Sequence, residues 1–242
     1  MNEDKAARYQ RLRRRALVAA AAWTFILLVA LLSSGAAAAL RDVAQASAAA
    51  FPVSGWLRAL VSVVVFVTIL FGAHEAGALP AAFYGGYLLE RRYGLSRQTA
   101  GSWLGDHAKA AAVGWLVVVA AGSVVVGCLH AWPRHWWIGA WAAAMAGSVA
   151  AAWVATVFIL PLFFRFSPLP QEPLRRRLAD LAARAGVPVV GVFEWRLSDK
   201  TPRANAALAG LGGTRRILVS DTLVSDFSED EVEVVQIGRA HV

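Results

Sequence analysis

Five histidines, one cysteine and sixteen acidic residues in a 242-residue chain are the raw material for any hydrolytic, nucleophilic or metal chemistry. His74-Glu75 begins like an H-E-x-x-H site, in which two histidines four apart share a helix face and ligate zinc while the Glu activates the bound water. The position for the second histidine is Ala78, so no i, i+4 pair exists there. An ionisable pair inside an apolar helix is costly, and two readings follow: it lines a water-filled chamber, or it satisfies polar groups on neighbouring helices. His107 falls among charged loop residues, while His130 and His135 flank a Trp-rich loop where interfacial packing is the simpler role. Cys128 stands in an apolar run; it permits neither an internal disulfide nor a cysteine zinc cluster and reads as a small buried hydrophobe.

The elements that would position these groups belong to a membrane protein. The chain is 58% hydrophobic, 17% charged and has a mean hydropathy of +0.52. A soluble domain carries about 25% charged residues and could not hide this much apolar surface. Four stretches reach the roughly 20 residues that a span needs: 16–32, 57–79, 108–129 and 136–164. The first also resembles a signal peptide, but its apolar run exceeds the usual h-region of about 7 to 15 residues. The net charge of +8 and ten tryptophans point to the lipid bilayer before nucleic acid. Lys5, Arg8, Arg11 and Arg13 to Arg15 precede the first span, and Arg91, Arg92, Arg97 and Lys109 follow the second. The intervening connections hold only Arg41, flanking Arg58 and Arg134, which predicts cytoplasmic termini on an integral membrane protein. Abundant Ala and Arg suggest a GC-rich bacterial genome and hence a bacterial cytoplasmic membrane.

From Phe166 the periodicity changes. Pro168, Pro170 and Pro173 predict a stiff linker, and Leu174, Leu178, Leu181 and Ala182 predict an amphipathic helix ending at Gly186. Arg175 to Arg177 would meet anionic headgroups or water. Val187–Trp195 and Arg215–Ser220 read as strands, with a weaker one at Ala204–Leu208 joined to the latter by Gly210, Gly212 and Gly213. A small antiparallel sheet is the economical arrangement. Ser228 and Glu231 form a capping box opening a further helix with apolar Val232, Val234 and Val235.

Four separated pieces then carry a resemblance. These are Leu79 to Tyr84 with Glu90 to Ser96 and Thr99; Pro161 to Leu169; Arg203 to Ala206 with Gly210 to Gly212, Arg216 and Ile217; and Asp221 to Leu223 with Ser228 to Val235. Together, and in this order, they resemble the membrane-embedded zinc metalloproteases of the CAAX prenyl endopeptidase type. The resemblance implies an α-helical integral membrane domain of about four transmembrane helices, followed by the start of an α+β zinc-metalloprotease domain. It implies zinc in the full-length protein, a peptide or protein substrate taken as an added β-strand, and Asn205, Ala206 and Arg203 on the strand that holds it. The expected divisions are a basic tail at 1–15, a transmembrane domain at 16–165, the first part of a cytoplasmic peptidase domain at 166–236, and a tail at 237–242.

The sequence departs from that family at the decisive place. Carried forward residue by residue, the zinc histidines fall on Gly238 and Val242 and the general base on Arg239, and His241 is one place out of register. The run Ile237 to Val242 matches one translated frame of a common sequencing adapter. The expectation is therefore a fragment ending natively near Val235 or Gln236, binding no zinc and inactive as written. The alternative is a non-catalytic pseudo-protease, a scaffold or regulator that lost its site naturally.

Overall fold

The computed structural model describes residues 2–53, 55–210 and 212–232. They fall into two compact units: Met1–Tyr93 with Thr99–Met145, and Gly94–Gln98 with Ala146–Val242.

The first unit is helical because its apolar runs are Ala-, Leu- and Val-rich and leave no backbone polar group unpaired in lipid. Helix α1 (Asn2–Ser33) is followed by α2 (Ala36–Ala49) and α3 (Gly55–Phe83). A wide π-turn, Tyr84–Leu88, carries α3 into α4 (Leu89–Arg92), and α5 (Ala100–Ala131) and α6 (Trp136–Val154) follow. Four helical stretches are long and apolar enough to cross a membrane: Asp4–Ser33, Gly55–Arg92, Ala100–Ala131 and Trp136–Val154. The basic tail expected before the first span is thus continuous with its helix. At 14 residues α2 is too short to span. It packs on α3 through buried Ala44 and Ala48, a helix the Ala-rich sequence had not distinguished from a connection.

Small residues set the close approaches. A Cβ on Gly77 would lie 2.0 Å from the Trp23 ring, whose indole N–H donates to the His74 carbonyl at 3.0 Å. Gly86 lies under Trp103, and a Cβ there would be 3.2 Å from the indole nitrogen. After α6 a second π-turn, Ala155–Ile159, leads into α7 (Leu160–Phe163). It sits just before Pro161, which lacks the N–H of a regular turn and whose ring would, in a regular α-helix, crowd the carbonyl four residues back.

The second unit is a mixed four-stranded sheet with helices on it. Its strands are β1 (Phe166–Pro168), β2 (Val192–Trp195), β3 (Ala206–Ala209) and β4 (Arg216–Ser220), in the order β1-β2-β4-β3. Helix α8 (Glu172–Arg184) lies between β1 and β2, and α9 (Asp221–Asp226) follows β4. The expected antiparallel sheet is corrected here, since β2 and β4 pair in parallel while β1 with β2 and β3 with β4 are antiparallel. The proline-bearing segment read as a linker supplies edge strand β1, where a missing N–H costs nothing.

Helix α8 buries Leu174, Leu178 and Ala182 against Val192, Ile217 and Val219, with Leu181 half-buried. Each leucine contributes about 1.5–3 kcal/mol by leaving water. Gly186 at φ +69° ends the helix, as its composition predicted. Arg175 and Arg176 pair with Glu172, and Arg177 pairs with Asp230 at 2.7 Å, so acidic side chains of the protein itself meet this cluster. The capping box forms: the Ser228 N–H donates to Glu231 at 2.9 Å, the Glu231 N–H approaches the Ser228 hydroxyl at 3.4 Å, and Val232 enters the core.

Candidate functional site

The residues that the resemblance selects gather at one edge of the sheet. Among the described residues β3 is an outer strand of the sheet, paired with β4. The Ser220 N–H donates to the Asn205 carbonyl at 2.8 Å, which fixes the phase of the ladder. Antiparallel pairs alternate, so Asn205, Ala207 and Ala209 face β4, and Ala206 and Leu208 direct their N–H and C=O groups outward. Ala206 points its methyl into the core at 1% exposure, whereas Arg203 is exposed.

What holds this edge was not visible in the sequence. Ser220 is wholly buried, and its hydroxyl oxygen accepts the N–H groups of Asn205 at 2.8 Å and Leu223 at 3.2 Å. The latter bond caps α9. The Thr222 hydroxyl, 2.9 Å from Ser220 Oγ, donates to the Arg203 carbonyl at 2.9 Å. One buried Ser-Thr pair thus ties both backbone ends of the 203–205 segment to the start of α9.

Asp221 secures the chain before it. Its Oδ1 accepts the N–H groups of Leu197 (2.9 Å), Ser198 (3.0 Å) and Thr222 (2.9 Å), and its Oδ2 accepts the Ser198 hydroxyl at 2.5 Å. Burial pushes this carboxyl upward, but the Ser198 hydroxyl and the three backbone donors outweigh it and hold Asp221 below the usual carboxylate range. An open cavity of about 390 Å³ lies here, lined by Gln171, Glu194, Ser198, Asp221, Thr222, Val224 and Ser225. The same 197–201 segment bonds to residues Gly94–Gln98: the Arg97 N–H donates to the Lys200 carbonyl, and the Thr201 hydroxyl to that of Leu95, each at 2.8 Å. A serine followed by aspartate at Ser220-Asp221 is itself a helix-start signal that could have revealed the cap.

In the first unit, His74 and Glu75 do not act as a pair. Glu75 meets His107 instead, at 3.1 Å between carboxylate and imidazole Nε2. His107 lies within α5, not in a loop, and stacks on Trp103 with ring centres 5.0 Å apart. Phe83 and Tyr87 complete an aromatic cluster around Trp103. The Glu75–His107 contact joins α3 to α5, while His74 takes part through its backbone carbonyl, which accepts the Trp23 indole N–H. Cys128 is half-buried.

A metal finds no ligand set among the described residues, where no group of three His, Cys, Asp or Glu converges. Gly238, Arg239 and Val242 lie outside those residues, and glycine, a permanently charged guanidinium and valine offer zinc no donor.

Fold and site define the class: a polytopic helical membrane protein joined to a small α+β domain whose outer strand β3 is tied to the start of α9. Residues 2–165 match the family described as CAAX prenyl protease N-terminal, five membrane helices, and residues 168–238 match Peptidase family M48. The chain belongs to this CAAX prenyl protease family. It is 30% identical over 163 residues to the CAAX prenyl protease 1 homolog of Taenia solium, covering 67% of this chain and 34% of that protein. It is 28% identical over 147 residues to the uncharacterized metalloprotease YhfN of Bacillus subtilis, covering 61% and 34% respectively. Against CAAX prenyl protease 1 of Saccharomyces cerevisiae the identity is 28% over 163 residues, covering 65% and 35%. The chain therefore spans about a third of the length of these curated relatives. The crystal structure of S. mikatae Ste24p shares the fold, with a TM-score of 0.79 and 21% identity, over 96% of this chain and 54% of that one.

Proposed function

We propose that this chain provides the membrane domain and the substrate-holding edge of a zinc metalloendopeptidase that cleaves peptide bonds at the cytoplasmic membrane face. The observation that carries this reading is the open edge of β3, its outward N–H and C=O groups at Ala206 and Leu208 held by the Ser220, Asp221 and Thr222 contacts. An extended peptide can add there as a further strand, with backbone bonds giving affinity that tolerates sequence. Asn205, Ala206 and Arg203 are the residues proposed to bind it. The relatives' names support a peptidase, and the CAAX prenyl sequences in those names make a lipid-modified peptide end a candidate substrate.

In this reading residues 1–15 and 166–236 lie on the cytoplasmic side of a transmembrane domain at 16–165, and the family's zinc belongs on the helix opened by Ser228. A second reading rests on a specific observation, the Gly, Arg and Val at positions 238, 239 and 242: a protein that holds the peptide edge without cleaving, as a scaffold.

The test is a photoreactive side chain placed at the exposed position Leu208, with membrane-reconstituted protein and an extended peptide. Crosslinking should occur and be lost when alternate backbone nitrogens of the peptide are methylated, because methylation removes ladder donors. Crosslinking indifferent to methylation would rule out strand addition.

A further inference from the structure

Helix α1 carries a stripe that the peptidase reading does not use. Tyr9 is buried at 6% exposure; its hydroxyl donates to the Glu90 carboxylate, and its ring meets Tyr93 at 5.2 Å. Leu12 and Ala16, half-buried, continue that inner stripe at i+3 and i+7. With Tyr9 fixing the phase, about 100° per residue puts Arg11, Arg14 and Arg15 on the opposite, outward side, with Arg8 at its margin. All four are exposed, and none makes an ion pair or hydrogen bond among the described residues.

The outward stripe continues into the apolar part of the same helix. Arg11, Val18, Phe25 and Leu32 are spaced by seven, two helical turns, so they lie nearly one above the other. Val18, Phe25 and Leu32 are 61%, 68% and 78% exposed. One face of one helix thus presents unpaired guanidinium groups over about 10 Å and then bare hydrocarbon-facing side chains.

We infer that this stripe binds an anionic phospholipid of the adjoining leaflet, with the phosphate on Arg11 and Arg14, flanked by Arg8 and Arg15, and the acyl chains along Val18 and Phe25. The occupant follows from charge and continuity. Guanidinium groups match phosphate geometry through paired N–H donors. The apolar residues directly below require a ligand with chains attached to that phosphate, which a soluble anion lacks. Cations beside an anionic bilayer strengthen binding by about fivefold each, and salt weakens the effect. The inference is independent of the peptidase reading.

The experiment is native mass spectrometry of the full chain in neutral detergent, titrated with phosphatidylglycerol or phosphatidylcholine. Phosphatidylglycerol should bind at least about tenfold more tightly, and Arg11→Gln/Arg14→Gln should remove most of that preference. Lys5→Gln/Arg13→Gln removes the same charge from the side flanking Tyr9 and should leave most of the preference in place. Equal loss in the two variants would show a general charge effect and overturn the stripe. Should the Arg variant fail to fold, unmodified protein still decides: its preference must collapse as salt is raised to about 0.5 M. Equal binding of both lipids, or displacement of phosphatidylglycerol by inorganic phosphate at low millimolar concentration, would overturn the proposal.

Discussion

Replacing Asp221 by Ala should loosen the segment that leads into the open strand while leaving α8 intact. The carboxylate accepts three backbone N–H groups and one hydroxyl, all within 3.0 Å. Hydrogen bonds to a charged group contribute about 1.5–3 kcal/mol, and water reaching this partly exposed site will replace some of them. A local loss of about 2 kcal/mol is therefore expected, equivalent to roughly a 30-fold drop in amide protection. Hydrogen exchange of the whole chain in detergent reads it at Leu197, Ser198 and Asn205, with Leu178 and Ala182 as internal controls. Asp221→Asn, which keeps one acceptor oxygen, should lose about half as much. The pH dependence has a definite sign: a carboxyl held below its ordinary value stabilises the fold above about pH 4, and that contribution is lost as pH falls through its depressed value. Protection of these amides in the unmodified chain should fall on acidification, and the Asn variant should show a flatter profile in that window. Exchange at Leu197, Ser198 and Asn205 within about twofold of the parent in Asp221→Ala would refute the clamp, because even one lost charged hydrogen bond exceeds that.

Other outcomes follow from close contacts. Gly210 has φ +110°, and a Cβ there would lie 2.4 Å from the Thr214 carbonyl oxygen, so Gly210→Ala should cost about 3 kcal/mol or more and lower the detergent melting temperature. Gly77→Ala drives a methyl into the Trp23 indole and should separate α1 from α3, seen as a shifted tryptophan emission and reduced thermal stability. Ser228→Ala removes a formed capping box and should cost about 1 kcal/mol, read as faster exchange at Glu231. Reporter fusions after Arg15, Ala44, Arg97, Arg134 and Arg177 should alternate in, out, in, out, in, and an outer Arg177 fusion would refute the proposed topology.

The legible parts of this protein were those written in local pattern. Span length depends on a run of apolar residues, and the runs ending near Leu32, Leu79 and Leu129 each lie inside a long helix. The Ser228 cap and the glycine turn before Arg215 depend on neighbours three or four residues away, and both formed. Strand partnership is different. Val192 to Trp195 alternates no differently whether its neighbour runs parallel or antiparallel, so the pairing of β2 with β4 had no local signature. The meeting of Glu75 with His107, 32 positions apart, likewise depends on how α3 packs against α5. The edge residues Asn205 and Ala206 were found by resemblance, but the Ser220 hydroxyl that positions them is a buried contact across 15 positions. Helix α2 was hidden by composition, because an Ala-rich run with Arg41 and Asp42 reads equally as a connection.

The claim that this chain holds peptides for a metal-dependent hydrolysis is tested most directly by reading the gene's codons past Gln236 and assaying the resulting protein, reconstituted in membranes, for peptide cleavage with and without a zinc chelator. The account predicts H-E-x-x-H on the helix capped by Ser228, cleavage that the chelator abolishes, and a zinc-loaded but inactive protein when the Glu of that sequence becomes Gln. A reading frame without the two histidines, or cleavage that proceeds equally well in chelator, would contradict it.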